Sequence, residues 1–425
     1  MPSSPQDDDE PREDSGDESP ENPENQPFGA SFPGFPPGFD ISGIDFSALA
    51  RALQSSGPLN WEVASQLAAV VATGGEDEPA IDASDREQFE ELAHAAQTHA
   101  VAETGLAATF VASVRAIDRR EWAALHLDAL RPVLERLATT FGGLVQPESV
   151  VIEESTDPND AIASFLPMIA PLLLGAQTGS MVGYLAQHAL GRYDLPLPTA
   201  DEPSLCFVVR NVDAFEAAWS LERADLRFYL AIHEVVHAAE RSVPWVRERM
   251  LDLATEYVSA YEVDASTLST RLGDFDPSDP SSIQALTEHP DELLGAMRSD
   301  RQHEILVRVR VLHAVLEGYA DVVLERIGNR LIPSFERIHE AMARHRLERG
   351  EAERFVEGLL GLATGREDYE RGAAFCAGVI ERAGIDALHR LWESPEMAPT
   401  PNEFDAPGLW LARIDLDGDG DGDGD

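Results

Sequence analysis

The stretch FYLAIHEVVHAAERSVPW, Phe228 to Trp245, sets His233, Glu234 and His237 inside an apolar run of helical period. Burying an ionisable side chain without a partner costs several kcal/mol or shifts its pKa, so something must satisfy all three. Four residues apart on a helix, His233 and His237 project from one face, one turn apart, a spacing that lets two imidazoles converge on one metal ion. Glu234 is the next residue round. From there it reaches a water held by the same ion without ligating it, the arrangement a metallohydrolase needs for its general base. The alternative is a satisfied pair of core histidines; the apolar context and a strand candidate just upstream favour the metal site. The helix is expected to end before Pro244.

Catalytic zinc is held by three protein groups and a solvent position, so a third ligand is needed. In HAVLEGYADVV, His313 to Val323, Glu317 and Asp321 stand four apart and share a helix face. Glu317 is the candidate for a His, His, Glu set, and Asp321 for the carboxylate that accepts the free N–H of a ligand histidine and fixes its tautomer. A solvated acidic face is the alternative, although Val315, Leu316, Val322, Val323 and Leu324 leave little of this helix polar. Glu240 competes as a ligand because it shares a face with both histidines, but it stands beside Arg241 at the helix end and is expected to pair there. His313, one turn before Glu317, is a candidate transition-state donor, with a structural histidine as its alternative.

The formal net charge is -45, from 77 Asp plus Glu against 32 basic residues, all of them arginine. Such a surface repels nucleic acid phosphates and anionic lipid, which argues against binding either by charge attraction. The acidity reads as solvation suited to a high-salt cytoplasm, a halophilic signature. Cys206 and Cys376 stand far apart with no CxxC pair, as in a reducing compartment. The acidic, Pro- and Ser-rich start, MPSSPQDDDEPREDSGDESPENPENQ, has no basic segment followed by an apolar one, so a cytoplasmic location is expected.

The segment Ala161 to Ala186 carries no charge over a length that spans a bilayer. Pro167, Pro171, Gln177, Thr178 and Ser180, with acidic flanks, argue for a buried core hairpin instead. Gly175, Gly179 and Gly183 line one helix face and admit a second helix at close range. Helical periods run from about Phe46 through Phe141. LCFVVRNV, Leu205 to Val212, is the best strand candidate, and GRYDLPLP before it reads as a connector. DFDPSDPSSIQALTEHPDELLG reads as a loop-rich interruption, followed by a helix from about Gln302 to Ile327 that Gly328 and Pro333 stop. The final DLDGDGDGDGD imitates a calcium loop but lacks flanking helices and the closing Glu.

HExxH followed by ExxxD on a separate helix is the gluzincin pattern. Together with LGRYDLPLP, PWVRERM, LEGYADVV and LWESPEMAPT, it resembles the actinobacterial zinc-dependent metalloprotease or hydrolase family of the zincin_2 type. Some members of that family are associated by name with biosynthesis of a deazaflavin cofactor. The resemblance implies a mostly α, zincin-like metallohydrolase domain with a minor β component, spanning 39–415. It leaves an acidic, Pro/Gly-rich tail over 1–38, expected to be disordered, and an Asp/Gly tail over 416–425. It also implies Zn2+ held by His233, His237 and Glu317, with Glu234 as the catalytic base. Two departures are visible: about eighty residues separate His237 from Glu317, and Tyr319 stands where many members are expected to carry histidine.

The expected activity is hydrolysis of a peptide bond by zinc-activated water, with Glu234 taking the proton and returning it to the leaving amine. The competing expectation is a zinc-binding protein without proteolysis, or a hydrolase of a small molecule in cofactor biosynthesis. An intact Glu234 favours catalysis.

Overall fold

The computed structural model describes residues 57–106, 114–145, 158–198, 203–262, 299–347, 351–362 and 365–418. The expected tail over 1–38, the acidic interruption and most of the Asp/Gly tail lie outside these residues.

Several of the described helices start or stop where the sequence supplies a cap. Asn60 accepts the Val63 N–H at 3.1 Å to open α1 (Trp61–Thr73), and Gly74 closes it in the left-handed conformation at φ 67°. Then come α2 (Ala83–Thr104), β1 (Val114–Ile117), α3 (Arg119–Ala129), α4 (Arg131–Val145), α5 (Pro158–Ala186) and β2 (Leu205–Val208). They are followed by α6 (Val209–Trp219), α7 (Arg223–Ser242) and α8 (Pro244–Ser259), the last two divided at Pro244 as its fixed φ and missing N–H require. A Ser299 capping box opens α9 (Asp300–Leu331). The described chain ends with α10 (Phe335–Leu347), α11 (Glu351–Leu360), α12 (Arg366–Ala383), α13 (Ile385–His389), α14 (Pro401–Phe404) and α15 (Pro407–Gly418). The fold is mostly α, and among the described residues its β component is one parallel pair, β1 with β2, in the register Val114 to Leu205 through Ile117 to Val208.

Three local expectations change. The uncharged run is one helix, α5, not a hairpin, because α1 covers it. A Cβ on Gly179 would stand 2.2 Å from the Ala64 carbonyl oxygen and one on Gly183 2.6 Å from that of Ala68, so the glycine face is where the two backbones meet. The strand candidate divides after Val208, where its partner β1 also ends, and Val209 begins a helix. Gly328 does not stop α9. It sits inside the helix where the Phe335 ring leaves no room for a Cβ, at 2.3 Å, and the helix ends just before Ile332 and Pro333. Among the described residues no helix is long and apolar enough to cross a membrane.

These helices enclose α7. From Leu226 to Arg241 every residue but Phe228 is buried, against α2, α9, α10 and β2. The fully buried Arg227 fixes its entry, donating to Asp85 of α2 at 2.7 Å and to Asp213 of α6 at 2.9 Å. Helix α9 is set in turn by α12. A Cβ on Gly372 would lie 2.0 Å from the Ala314 carbonyl oxygen, and Gly318 meets the Gly372 backbone from the other side. We expect Gly372→Ala to push α9 outward and lower the unfolding free energy by about 1–3 kcal/mol, measured by urea denaturation. An unchanged midpoint would show that this crossing is not tight.

Candidate metal centre

Helix α7 presents its two histidines side by side, with ring centroids 4.5 Å apart. His237 is fully buried, and its Nδ1 lies 2.8 Å from Glu240 Oε2, one turn further along α7. Burial, with His233 and Arg241 beside it, holds His237 well below the usual histidine range, so the ring is neutral. Glu240 Oε2 and Arg241 Nη1, the latter at 3.2 Å, both meet that Nδ1; in the tautomer that donates to Glu240 the lone pair lies on Nε2. That atom is buried without a hydrogen-bond partner, 3.9 Å from Glu317 Oε1. Burial pushes the Glu240 carboxyl upward, and the Arg241 guanidinium, 3.6 Å from the same oxygen, opposes that push.

Glu234, 1% exposed, turns toward the loop that joins α5 to β2. Its Oε2 accepts the Arg192 N–H at 2.8 Å, and the Tyr193 N–H lies 3.1 Å from Oε1 and 3.2 Å from Oε2. Its Oε1 is also 3.4 Å from His233 Nδ1, an atom buried without a hydrogen-bond partner. The loop backbone comes so close that a Cβ on Gly191 would stand 2.4 Å from the Glu234 carboxyl carbon. Its opposite edge is tied down: the Trp122 indole N–H donates to Gly191 O at 2.8 Å, and the Val208 N–H donates to Leu190 O at 2.9 Å. His126 Nε2 is 3.3 Å from Arg192 O, and burial pushes its pKa down to about 3. Asp194 closes the loop by accepting the Leu190 N–H at 3.1 Å, and it also meets His345 Nε2 of α10 at 3.2 Å.

Glu317 lies on α9, opposite His237, and is 6% exposed. Its Oε2 accepts from Arg346 Nη1 at 3.1 Å, while Nη2 of the same guanidinium donates to Asp321 Oδ1 at 3.1 Å. The structure therefore brings His233, His237, Glu234 and Glu317 together but gives the expected contact of Asp321 to another group. Asp321 pairs with Arg346, and the carboxylate at His237 is Glu240, which is nearer because it sits three residues along the same helix. His313 is buried, with Nδ1 lacking a hydrogen-bond partner; burial and then Arg241 push its pKa down to about 3, so it stands as a neutral imidazole. Tyr319 packs away from this centre, edge-on to Trp392 with centroids 4.7 Å apart.

The donors suit zinc in kind: two imidazole nitrogens without partners and one free carboxylate oxygen, all in a buried setting. As the side chains stand, no group of three or more His, Cys, Asp or Glu among the described residues closes round a common point. A cavity of about 400 Å3 lined by Trp245, Leu312, Val315, Trp392 and Pro399 lies elsewhere. Val315 is about 200° of helix rotation from Glu317, so this cavity opens on the far side of α9.

Residues 59–411 match the family of zincin-like metallopeptidases (Zincin_2), and the chain belongs to that family. A crystal structure from Chloroflexus aurantiacus, described as "a putative hydrolase with a novel fold", is 27% identical with a TM-score of 0.58. The match covers 84% of this chain and 99% of that one. No curated protein matches the chain. Family and neighbour together support a zinc-dependent hydrolase.

Arg192, Tyr193, Glu240 and Arg346 are the site contacts that the motifs did not announce. Of these, only Glu240 had a usable signal, its spacing of three from His237. Two outcomes are expected from this geometry. Gly191→Ala destabilises by about 1–3 kcal/mol by overpacking, and the cost falls in a Glu234→Ala background, where the space is vacated; an additive double-mutant cycle would remove the contact. Glu240→Leu weakens zinc binding about 10–100-fold, as loss of a partner to a ligand histidine does, read by chelator competition.

Proposed function

We propose that the chain is a zinc metallopeptidase in which His233, His237 and Glu317 hold the metal and Glu234 is the general base. The observation that carries this is His237 Nε2, buried without a hydrogen-bond partner and 3.9 Å from Glu317 Oε1, with Glu240 at the ring's other nitrogen. Bound zinc supplies the Lewis acidity that activates a water and steadies negative charge on the scissile carbonyl. Glu234 accepts the water's proton on a carboxylate oxygen and returns it to the leaving amine. The amides of Arg192 and Tyr193 hold that carboxylate in one orientation throughout, so no side-chain reorganisation accompanies the transfer. The substrate is a peptide, and the reaction is its hydrolysis.

A second reading is supported by the burial of the centre. His233 and Glu317 are only 5% and 6% exposed, a narrow opening for a polypeptide. On that reading the chain hydrolyses a small molecule, or binds zinc without turnover, in the service of cofactor biosynthesis. Purified protein is expected to take up about one zinc per chain, because three deprotonated ligands make one set, and His233→Ala is expected to take up much less. Elemental analysis after zinc loading checks this. Product analysis with a peptide library then separates the readings. Glu234→Gln should keep fold and zinc while cleavage falls by about 100-fold or more. Cleavage that survives this change at a comparable rate would remove Glu234 from the reaction.

A further inference from the structure

We infer that Arg346 is a positioning residue for the metal centre: it holds one oxygen of Glu317 so that the other is presented to the ion. The inference rests on the reading of Glu317 as a zinc ligand.

Arg346 stands in the last turn of α10 and is 8% exposed. Its guanidinium spans two carboxylates one helical turn apart on α9, with Nη1 on Glu317 Oε2 and Nη2 on Asp321 Oδ1, each at 3.1 Å. A planar fork fixes direction as well as charge, which a lysine ammonium does not. From α12, the Tyr369 ring lies 5.5 Å from the guanidinium carbon, so the fork is gripped on a third side. The consequence at Glu317 is a division of labour between its oxygens. Oε2 is taken, and Oε1 is the atom that looks across at His237 Nε2, 3.9 Å away. Glu317 is thereby set to bind through one oxygen. Asp321 belongs to the same device, because it holds the other arm of the fork and balances its charge.

An ion pair that served only stability would make the same contacts, and the variants must separate the two roles. Arg346→Met alone mixes two opposed effects: it frees Glu317, and it removes a positive charge near a cation, which by itself strengthens metal binding. Removing the fork and its counter-charge together, Arg346→Met with Asp321→Leu, leaves the net charge unchanged. Arg346→Lys keeps the charge and loses the two-armed geometry.

Zinc dissociation constants are measured by chelator competition, with urea unfolding of the metal-free proteins alongside. We expect both the paired replacement and Arg346→Lys to weaken zinc about 10–100-fold. In a Glu317→Ala background the same changes are expected to have little further effect, since Arg346 acts through that carboxylate. Unchanged zinc affinity in Arg346→Lys and in the paired replacement overturns the inference, as does a loss that persists undiminished without Glu317. Should the paired replacement not fold, Arg346→Lys decides alone. A wild-type protein that takes up no zinc overturns the proposed function and this inference together, whereas wild-type zinc binding that Arg346→Lys leaves intact overturns only this one.

Discussion

A helix buried on nearly every side that still carries two histidines, two glutamates and two arginines imposes one demand on everything around it: its polar atoms must find partners inside the protein. The answers come from different depths of structure. Glu240 supplies the partner of His237 from within α7 itself. The loop after α5 supplies main-chain N–H groups to Glu234, and α9 brings a carboxylate opposite the second histidine. Beside Glu240 Oε1 and the Nε atoms of Arg227 and Arg241, the atoms of α7 left without a hydrogen bond in the interior include two ring nitrogens, His233 Nδ1 and His237 Nε2. Buried orphans of this kind in a zincin-like chain are the physical argument for a metal.

Main-chain amides serve Glu234 better than an arginine would. They carry no net charge, so they fix the carboxylate without adding a cation beside the place where zinc is proposed to sit. They also demand a backbone that comes very near, which only glycine at 191 allows, and a loop that does not move, which Trp122, Val208 and Asp194 enforce from its other edge. The small parallel sheet has its clearest role here. Its strand β2 is the edge against which the loop is pinned, with Gly191 bridged to Phe207.

The parts of the site that were legible in the sequence are those set by helical period. His233 and His237 at four residues, Glu317 and Asp321 at four residues, and the glycines of α5 at four residues all declare a shared face, and the structure uses each of those faces. What period does not carry is which group on another element meets that face. Glu317 and Asp321 both look toward α10, but the arginine they meet lies 29 and 25 residues on, in a helix with no motif of its own. Backbone donors leave still less trace, because any residue but proline has an N–H, and GRYD reads as a connector until its distance from Glu234 is known. That Glu240 rather than Asp321 meets His237 has a related reason. Two carboxylates were within a turn or two of the right place, and the one on the histidine's own helix needed no tertiary contact to arrive.

Helix α10 ends with His345 and Arg346 next to one another in the chain. The first meets Asp194, which braces the loop that grips Glu234; the second grips Glu317. The two sides of the centre are thus fastened to a single peptide unit. A displacement of that helix end would act on both fastenings, so the supports of Glu234 and Glu317 are kept or lost as a pair. The two sides of the centre thus share one point of attachment, and it lies outside the helix that bears the histidines.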